Sequence, residues 1–358
     1  MIDTQPDRVS RESTDSTETI RLCINYDRPH SIFSSKPVIL SGTNPAFSMR
    51  IYRNVLLLTL VLLCGCAVEP QATWHLVNVN SSKLQGDANL IQASSVVIMI
   101  DGGRYSEAEK SLVPYVTALG IKTIDHFFVS HPHRDHYEGL IALLDAGITV
   151  SNLHMRIPPR HICDREIPWG CDMKDIKSFV QKAVDHGITV HHPEVGSRYE
   201  VAPDSTIEIL YAQDDDLPGD KVDVNDLSLI MQWSINNTTV LFTGDLNTQV
   251  GSILSNDPRM RSTFLKMPHH GATSLAPNKF FDRVNPDYVL VPGPKWVWCG
   301  ERGARARDWV EQNRLPVWVN GIDGHIKVDF FDDHIVVTPE IQSDECKLHA
   351  FGRMEIRL

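Results

Sequence analysis

The 358-residue chain predicts an α/β protein of two mixed β-sheets flanked by helices. Three observations carry this expectation. From Trp74 onward, short apolar runs rich in β-branched and aromatic residues alternate with amphipathic runs of helical length. LSLIMQW and TTVLFTG are separated only by Ser-Ile-Asn-Asn, a turn-rich break that suits a hairpin. Other strand runs are joined through helices, the unit from which parallel strands are built.

The elements follow in order. HLVNV and SSVVIMI read as strands, the second ending in Asp101-Gly102-Gly103. SEAEKSLVPYVTALG reads as a helix, with Ser106 offered as N-cap and Glu109 three residues on. IDHFFV is a buried strand, and YEGLIALLDAG a helix with Leu140, Leu143 and Leu144 on one face and Gly147 as its stop. DIKSFVQKAVDHG is a helix, and TIEILYA, LSLIMQW and TTVLFTG are strands. LKM, DYVLV, PVWVN and HIKVDF continue as strands, with helices near 278–284 and 303–313. No internal repeat or linker divides the run, which makes one domain with elements from about 72 to 358.

A net charge of −11 argues against a dedicated binder of long nucleic acid, though not against a small basic pocket. MRIYRNVLLLTLVLLCGC, residues 49–66, has a basic start, an apolar run too short to span a bilayer, and Leu63-Cys64-Gly65-Cys66. That ending resembles a bacterial lipobox, which implies a signal peptide over 49–65 and lipidation of Cys66. Ala67 after it resembles Gram-negative lipoproteins sorted to the outer membrane, on the periplasmic side of the envelope. Residues 1–48 are polar and expected to be disordered, with Met49 the expected true start. The mature domain then runs 66–358 and keeps four cysteines besides the lipidated Cys66. In an oxidising compartment these permit two disulfides; Cys163–Cys171 is the favoured pair.

The chemistry concentrates in SHPHRDHYEGL, residues 130–140, where a strand ends and a helix begins. His131 and His133 alternate and can converge on one metal. Asp135 and His136, past the bend, can serve a second. Imidazole with carboxylate suits Zn²⁺, and Mn²⁺ is the alternative. Asp245 follows the strand TVLF, and His269 and His270 follow FLKM, so all three stand at strand ends too. Taken alone, Asp245 reads sooner as an N-cap for LNTQVGSIL than as a ligand. Asn225, Asp226 and Ser228 read as turn residues or as part of the site.

QGDANLIQASSVVIMIDGG, FFVSHPHRDHYEGL, VNDLSLIMQWSINNTTVLFTGDL, LKMPHHGATS and VNGIDGHIKVDF, in this order, resemble the metallo-β-lactamase superfamily. Within it the chain is similar to the hydrolase domain of ComEC-type competence proteins, over residues 85 to about 330. The resemblance implies an αββα sandwich and two divalent ions held by His131, His133, Asp135, His136, Asp245, His269 and His270. Asp245 would bridge them, and one of His269 and His270 would be a ligand. Asp135, Asp245 and His270 carry the expected catalytic roles. Two such ions hold a hydroxide between them at neutral pH and polarise the electrophile.

Two departures stand out. Superfamily members commonly have another histidine before the bridging aspartate. Here His154, His161, His186, His191 and His192 lie in no matching motif. The region after the His pair, WVWCGERGARARDWV, lacks a histidine too, leaving Cys299 or Glu301 as substitutes unless Cys299 is bridged to Cys346. The expected activity is hydrolysis of a small phosphodiester or nucleic-acid-derived substrate, with no stable nucleic-acid partner. The kinship and the basic segments RIPPRH (Arg156, Arg160, His161) and ERGARAR (Arg302, Arg305, Arg307) favour it. Ester, lactone or β-lactam hydrolysis is the alternative, and a non-catalytic metal-binding surface lipoprotein is a third.

Overall fold

A computed structural model describes residues 68–94, 96–166, 170–212, 223–343, 345–346 and 352–358. The leader, the signal segment and Cys66 lie outside the described residues. The first sheet takes the strands β1 (Ala72–Leu76), β2 (Ala88–Ala93), β3 (Val96–Gly102), β4 (Thr123–Phe128), β5 (Thr149–His154) and β6 (Thr189–His191). The second takes β7 (Arg198–Ala202), β8 (Ser205–Tyr211), β9 (Ile230–Ile235), β10 (Thr238–Phe242), β11 (Phe264–Lys266), β12 (Tyr288–Pro294) and β13 (Val317–Val319). The chain then returns to the first sheet with β14 (Ile326–Phe330), β15 (His334–Pro339) and β16 (Met354–Arg357).

The spatial orders are β16-β15-β14-β1-β2-β3-β4-β5-β6 and β13-β12-β11-β10-β9-β8-β7. In each sheet an antiparallel meander gives way to parallel strands, at β3–β4 in one and β10–β11 in the other. Both sheets are therefore mixed. Alternation along the strands sorts their side chains into layers. Ile91, Ile98, Phe128, Phe242 and Phe264 fill the space between the sheets, together with Trp74, Trp233 and Phe330. Leu90, Met99 and Phe127 face the other way, onto α1 (Arg134–Asp145) and α2 (Met173–Asp185). On the far side Leu241, Leu265 and Val289 pack against α3 (Thr248–Leu254), α4 (Asn278–Val284) and α5 (Ala304–Gln312). The result is the αββα sandwich.

Several expectations shift in detail. The first strand is Ala72–Leu76 rather than HLVNV. Ser106 caps nothing: the helical run starts at Tyr105 behind Arg104, and its hydroxyl turns to Glu107. Asp245 is not a helix cap either, because α3 begins after Asn247. Asp226 serves that end instead, its Oδ1 accepting from the backbone N–H groups of Asn247 (2.9 Å) and Val250 (3.3 Å). Both Cys163–Cys171 and Cys299–Cys346 are disulfides, so Cys299 is no metal ligand. Among the described residues, no helix is long and apolar enough to cross a membrane.

Candidate metal centre

The site forms where β3, β4, β10 and β11 all end on the same side, since parallel strands deliver their C-terminal loops together. From β4 come His131, His133, Asp135 and His136, from β10 Asp245, and from β11 His269 and His270. α1 is drawn hard against β3 at Gly139, where a Cβ would stand 2.0 Å from the Gly102 carbonyl oxygen. Any side chain there would push the start of α1, with Asp135 and His136, away from the sheet. His269 and His270 both hold left-handed backbone, with φ of 49° and 54°. Such conformations cost of order 1–3 kcal/mol each and are kept where the surroundings demand them. Here they turn two successive imidazoles toward Asp245.

Asp245 is the hub. Its Oδ2 lies 3.1 Å from His270 Nε2, 3.4 Å from His136 Nε2 and 4.0 Å from His269 Nε2. His270 Nε2 is also 3.6 Å from Asp135 Oδ2. His131 Nε2 and His133 Nδ1 face each other at 3.0 Å. Ligand atoms of His131, His136 and Asp245 fall within 4.8 Å of one another, and so do those of Asp135, His136 and His270. The structure thus brings all seven candidate residues to one centre and separates the pair that the sequence left open. His270 is fully buried between two carboxylates, whereas His269 is less buried and lines the cavity.

The outward nitrogens are anchored. His136 Nδ1 donates to Asp101 Oδ2 (2.9 Å), and Asp101 Oδ1 accepts from the Ser130 N–H (2.8 Å). His270 Nδ1 donates to the Pro292 carbonyl (2.8 Å) and His269 Nδ1 to Asn247 Oδ1 (2.8 Å). This fixes each ring and aims Nε2 inward, the arrangement that outer partners give to metal-bound histidines. Asp245 is itself held from below, its N–H donating to Ser228 Oγ (2.9 Å). Gly244 before it has a φ of +48° and no room for a Cβ over Ser228.

Charge is distributed accordingly. Burial disfavours a charged ring, but for His136 Asp245 and Asp101 outweigh it and hold the pKa well above the ordinary histidine value. His270 is likewise lifted against burial, by Asp245 and Asp135, to about 9. Burial dominates at His131, which is pushed well down, and at His269, pushed to about 4. Burial would raise the carboxyls of Asp245 and Asp135, but the neighbouring imidazoles keep both below the usual range. Behind the centre, Lys266 pairs with Asp87, and both are buried.

Divalent ions fit this donor set. His136 Nε2, His270 Nε2 and Asp245 Oδ1 are buried without a hydrogen-bond partner. Three such orphans in one pocket are costly unless something else satisfies them. Imidazole nitrogens and carboxylate oxygens are the donors that Zn²⁺ and Mn²⁺ take.

The cavity over the centre holds about 600 Å³ and is lined by His133, Asp135, Asp245, His269, Lys83, Arg104, Glu166, Trp296 and Arg302, among others. Of the basic residues singled out in the sequence, only Arg302 lines it. Arg156 turns to the Pro193 carbonyl, Arg160 pairs with Asp164 at the surface, and Arg305 and Arg307 bond to backbone carbonyls. His161 does not line it either. Glu301 is exposed and outside the cavity. His154 and His191 stack on each other away from the centre (4.8 Å between ring centroids), and His186 and His192 bond to backbone carbonyls.

Sequence reasoning missed Asp87, Asp101, Lys266, Asn247, Lys83, Arg104 and Glu166. Of these, Asp87, Asp101 and Lys266 lay inside stretches that resemble the family.

Glu166 sits inside the loop closed by Cys163–Cys171, with Oε2 3.8 Å from His133 Nε2. It is placed to do for His133 what Asp101 does for His136. Glu166→Gln is expected to weaken metal binding roughly 10- to 100-fold, read by competition with a chelating indicator. Unchanged affinity would remove Glu166 from the centre.

Asp226 gives a pH test. Burial first, and then Asp223, raise its carboxyl to about 7 against the pull of its backbone donors. Between the unfolded value of 3.8 and about 7, the folded state binds a proton that the unfolded state lacks. This contribution is therefore present at low pH and lost as pH rises through 7. Asp226→Asn should gain on the order of 2 kcal/mol over wild type between pH 5 and pH 8 in denaturant unfolding. A constant difference would show that the carboxyl is ionised throughout.

Residues 82–292 match the family described as the Metallo-beta-lactamase superfamily, and the chain belongs to it. This defines the class: a metal-dependent hydrolase fold with candidate metal ligands. Among individual relatives, the chain is 23% identical over 194 residues to ComE operon protein 3 of Bacillus subtilis (strain 168), covering 53% of this chain and 23% of that protein. It is 21% identical over 216 residues to competence protein ComA of Neisseria gonorrhoeae, covering 58% and 25%. The chain thus spans about a quarter of the length of these relatives. Among solved structures, the metallo-beta-lactamase fold protein YhfI from Bacillus subtilis aligns with a TM-score of 0.46 at 15% identity, covering 69% of this chain and 96% of that one.

Proposed function

We propose that the chain is a dinuclear-metal phosphodiesterase acting on a small phosphodiester or a nucleic-acid-derived substrate. One observation carries the choice of phosphorus over carbon. Lys83, Arg104 and Arg302 line the cavity above the acidic centre, and among the described residues none has a carboxylate partner. Arg104 Nε is in addition buried without any partner. Unpaired cations beside a metal pocket match the non-bridging oxygens of a phosphate ester, and arginine supplies a planar fork for them. A neutral ester or lactone has no such need.

In this reading His131, His133 and Asp245 hold one ion, and Asp135, His136, His270 and Asp245 the other. Zn²⁺ is the first choice and Mn²⁺ the second. Bound ions supply Lewis acidity and lower the pKa of an attacking water. Asp245, whose Oδ2 lies 3.1 Å from His270 Nε2 and 3.4 Å from His136 Nε2, would be the carboxylate that both ions share. Asp101 and the Pro292 carbonyl keep the rings of His136 and His270 in place, so little rearrangement accompanies the reaction. His269 is neutral at pH 7 and presents a free Nε2 to the cavity, where it can take a proton or complete the first ion's ligands. The lipobox-like segment supports anchorage through Cys66 at the outer membrane, facing the periplasm. Two disulfides suit that oxidising compartment.

The test is metal content by mass spectrometry on the chain purified without chelator, with hydrolysis of bis-p-nitrophenyl phosphate set against a lactone and nitrocefin. Two ions and diester cleavage are expected. Cleavage of the carbon substrates alone would overturn the phosphodiesterase reading. At most one ion and no turnover would mean a metal-binding module.

A further inference from the structure

A second cavity of about 470 Å³ adjoins the metal pocket, and Trp296 lines both. Arg302 and Lys83 line only the first, whereas Asn78, Ser82 and Gly321 line only the second, so the indole stands between the two spaces. Its position is set from several directions. Trp296 lies in the short helix Lys295–Trp298 that follows β12. Its Nε1 donates to the Ser81 carbonyl (3.1 Å). The Arg302 guanidinium lies over the ring, 5.4 Å from its centroid. Ser81 is itself fixed in a turn whose hydroxyl accepts the Leu84 N–H (3.0 Å). The indole nevertheless remains 38% exposed. An aromatic ring of this size held rigidly at a cavity wall, with its one polar atom satisfied and its surface open, is built to receive a flat apolar partner.

We propose that Trp296 is a stacking platform for a nucleobase attached to the phosphate in the metal pocket. The second cavity would be the base subsite. The inference rests on the phosphodiesterase reading, and it narrows the substrate class from phosphodiesters in general to nucleotide diesters. Charge and shape divide the work. Lys83 and Arg302 take the phosphate oxygens, the indole takes the π-face, and the Asn78 amide and Ser82 hydroxyl at the second cavity face the base edge. Stacking is tolerant of base identity, since every base has a π-face. Arg302 over the ring also couples the subsites, because one side chain touches both the platform and the phosphate space.

The test separates this inference from the reading beneath it by measuring binding rather than turnover. Adenosine 5′-monophosphate and ribose 5-phosphate are titrated calorimetrically into the metal-loaded full chain, its Trp296→Ala variant and its Trp296→Phe variant. Both ligands offer the same phosphate, and only one carries a base. The wild type is expected to prefer the nucleotide roughly ten-fold or more. Trp296→Ala should lose that preference and Trp296→Phe should keep most of it, because ribose 5-phosphate should lose far less affinity in Trp296→Ala than the nucleotide does. Parallel melting curves check that the variants are folded. No preference in the wild type, or an undiminished preference in Trp296→Ala, overturns the proposal. A preference lost in the variant alongside no diester hydrolysis would instead overturn the phosphodiesterase reading and leave the base subsite standing.

Discussion

Asp245→Ala is expected to reduce bound metal from two ions to at most one, and to lower kcat/KM for a phosphodiester by about three orders of magnitude or more. The first part follows from position. Asp245 Oδ2 is the atom on which His136 and His270 converge, and its Oδ1 is buried and unpartnered. Asp245 is the one carboxylate that the proposed reading assigns to both ions. Removing it deletes a ligand from each site and leaves two imidazoles whose raised pKa values depended on that charge. The second part follows from magnitude. Lewis-acid stabilisation is worth several kcal/mol, at 1.36 kcal/mol per decade of rate. Metal content by mass spectrometry and initial rates with bis-p-nitrophenyl phosphate check both. A variant that retained two ions, or a tenth of the activity, would show that the metals are held without it.

The largest effect on stability is expected from Lys266→Met. Lys266 is 1% exposed, pairs with the fully buried Asp87 and donates to the Gly244 carbonyl (2.8 Å). Burial alone raises the carboxyl of Asp87, and Lys266 is the main force opposing it. Methionine fills the space but leaves an unpaired carboxyl in the interior, a loss of about 3–5 kcal/mol. The sign with pH is fixed by that carboxyl. Its folded pKa would rise further, so the stability available while it is protonated is lost as pH climbs through that value. The deficit should therefore be larger at pH 8 than at pH 5 in denaturant unfolding with chelator present. Asp87→Asn combined with Lys266→Met should recover most of it. A single variant as stable as wild type would show that the pair contributes nothing net.

What could be read beforehand follows from how the residues are carried. HPHRDH was legible because four ligand types crowd one strand-to-helix turn. Asp245, His269 and His270 were legible because each follows an apolar run short enough to be a strand. The supporting groups were not, since a single Asp101 after a strand or a Lys266 within one has no local signature. Their meaning arises only when β3, β4, β10 and β11 are laid side by side. The arginines show the same limit from the other direction. Arg302, Arg305 and Arg307 are near neighbours in sequence, yet one reaches the cavity and the others tie down loop carbonyls. Charge density in a segment does not say where a long side chain ends. The weakly patterned strands β5, β7 and β15 escaped notice because polar and apolar residues share them. Histidine count misled nowhere, because the stacked His154 and His191 lacked a motif from the start.

The origin of the ligands in two different sheets has a mechanical consequence. His131, His133, Asp135 and His136 follow a strand of the first sheet, and Asp245, His269 and His270 follow strands of the second. Between the sheets lies an apolar layer, which resists separation and is crossed near the centre by the Lys266–Asp87 pair and by the Leu229 N–H donating to the Ser130 carbonyl (2.8 Å). Ions held by both sets would act as a clasp on the open edge of that layer. Neither half of the polypeptide presents a full set of donors until the halves have met, so tight capture and correct assembly are one event. The clasp also works in reverse. Free metal draws the folding equilibrium toward the assembled form by mass action, by about 2.7 kcal/mol when it stands at 100 times its dissociation constant. Scarcity of the ion would then show first as shortened lifetime of the fold.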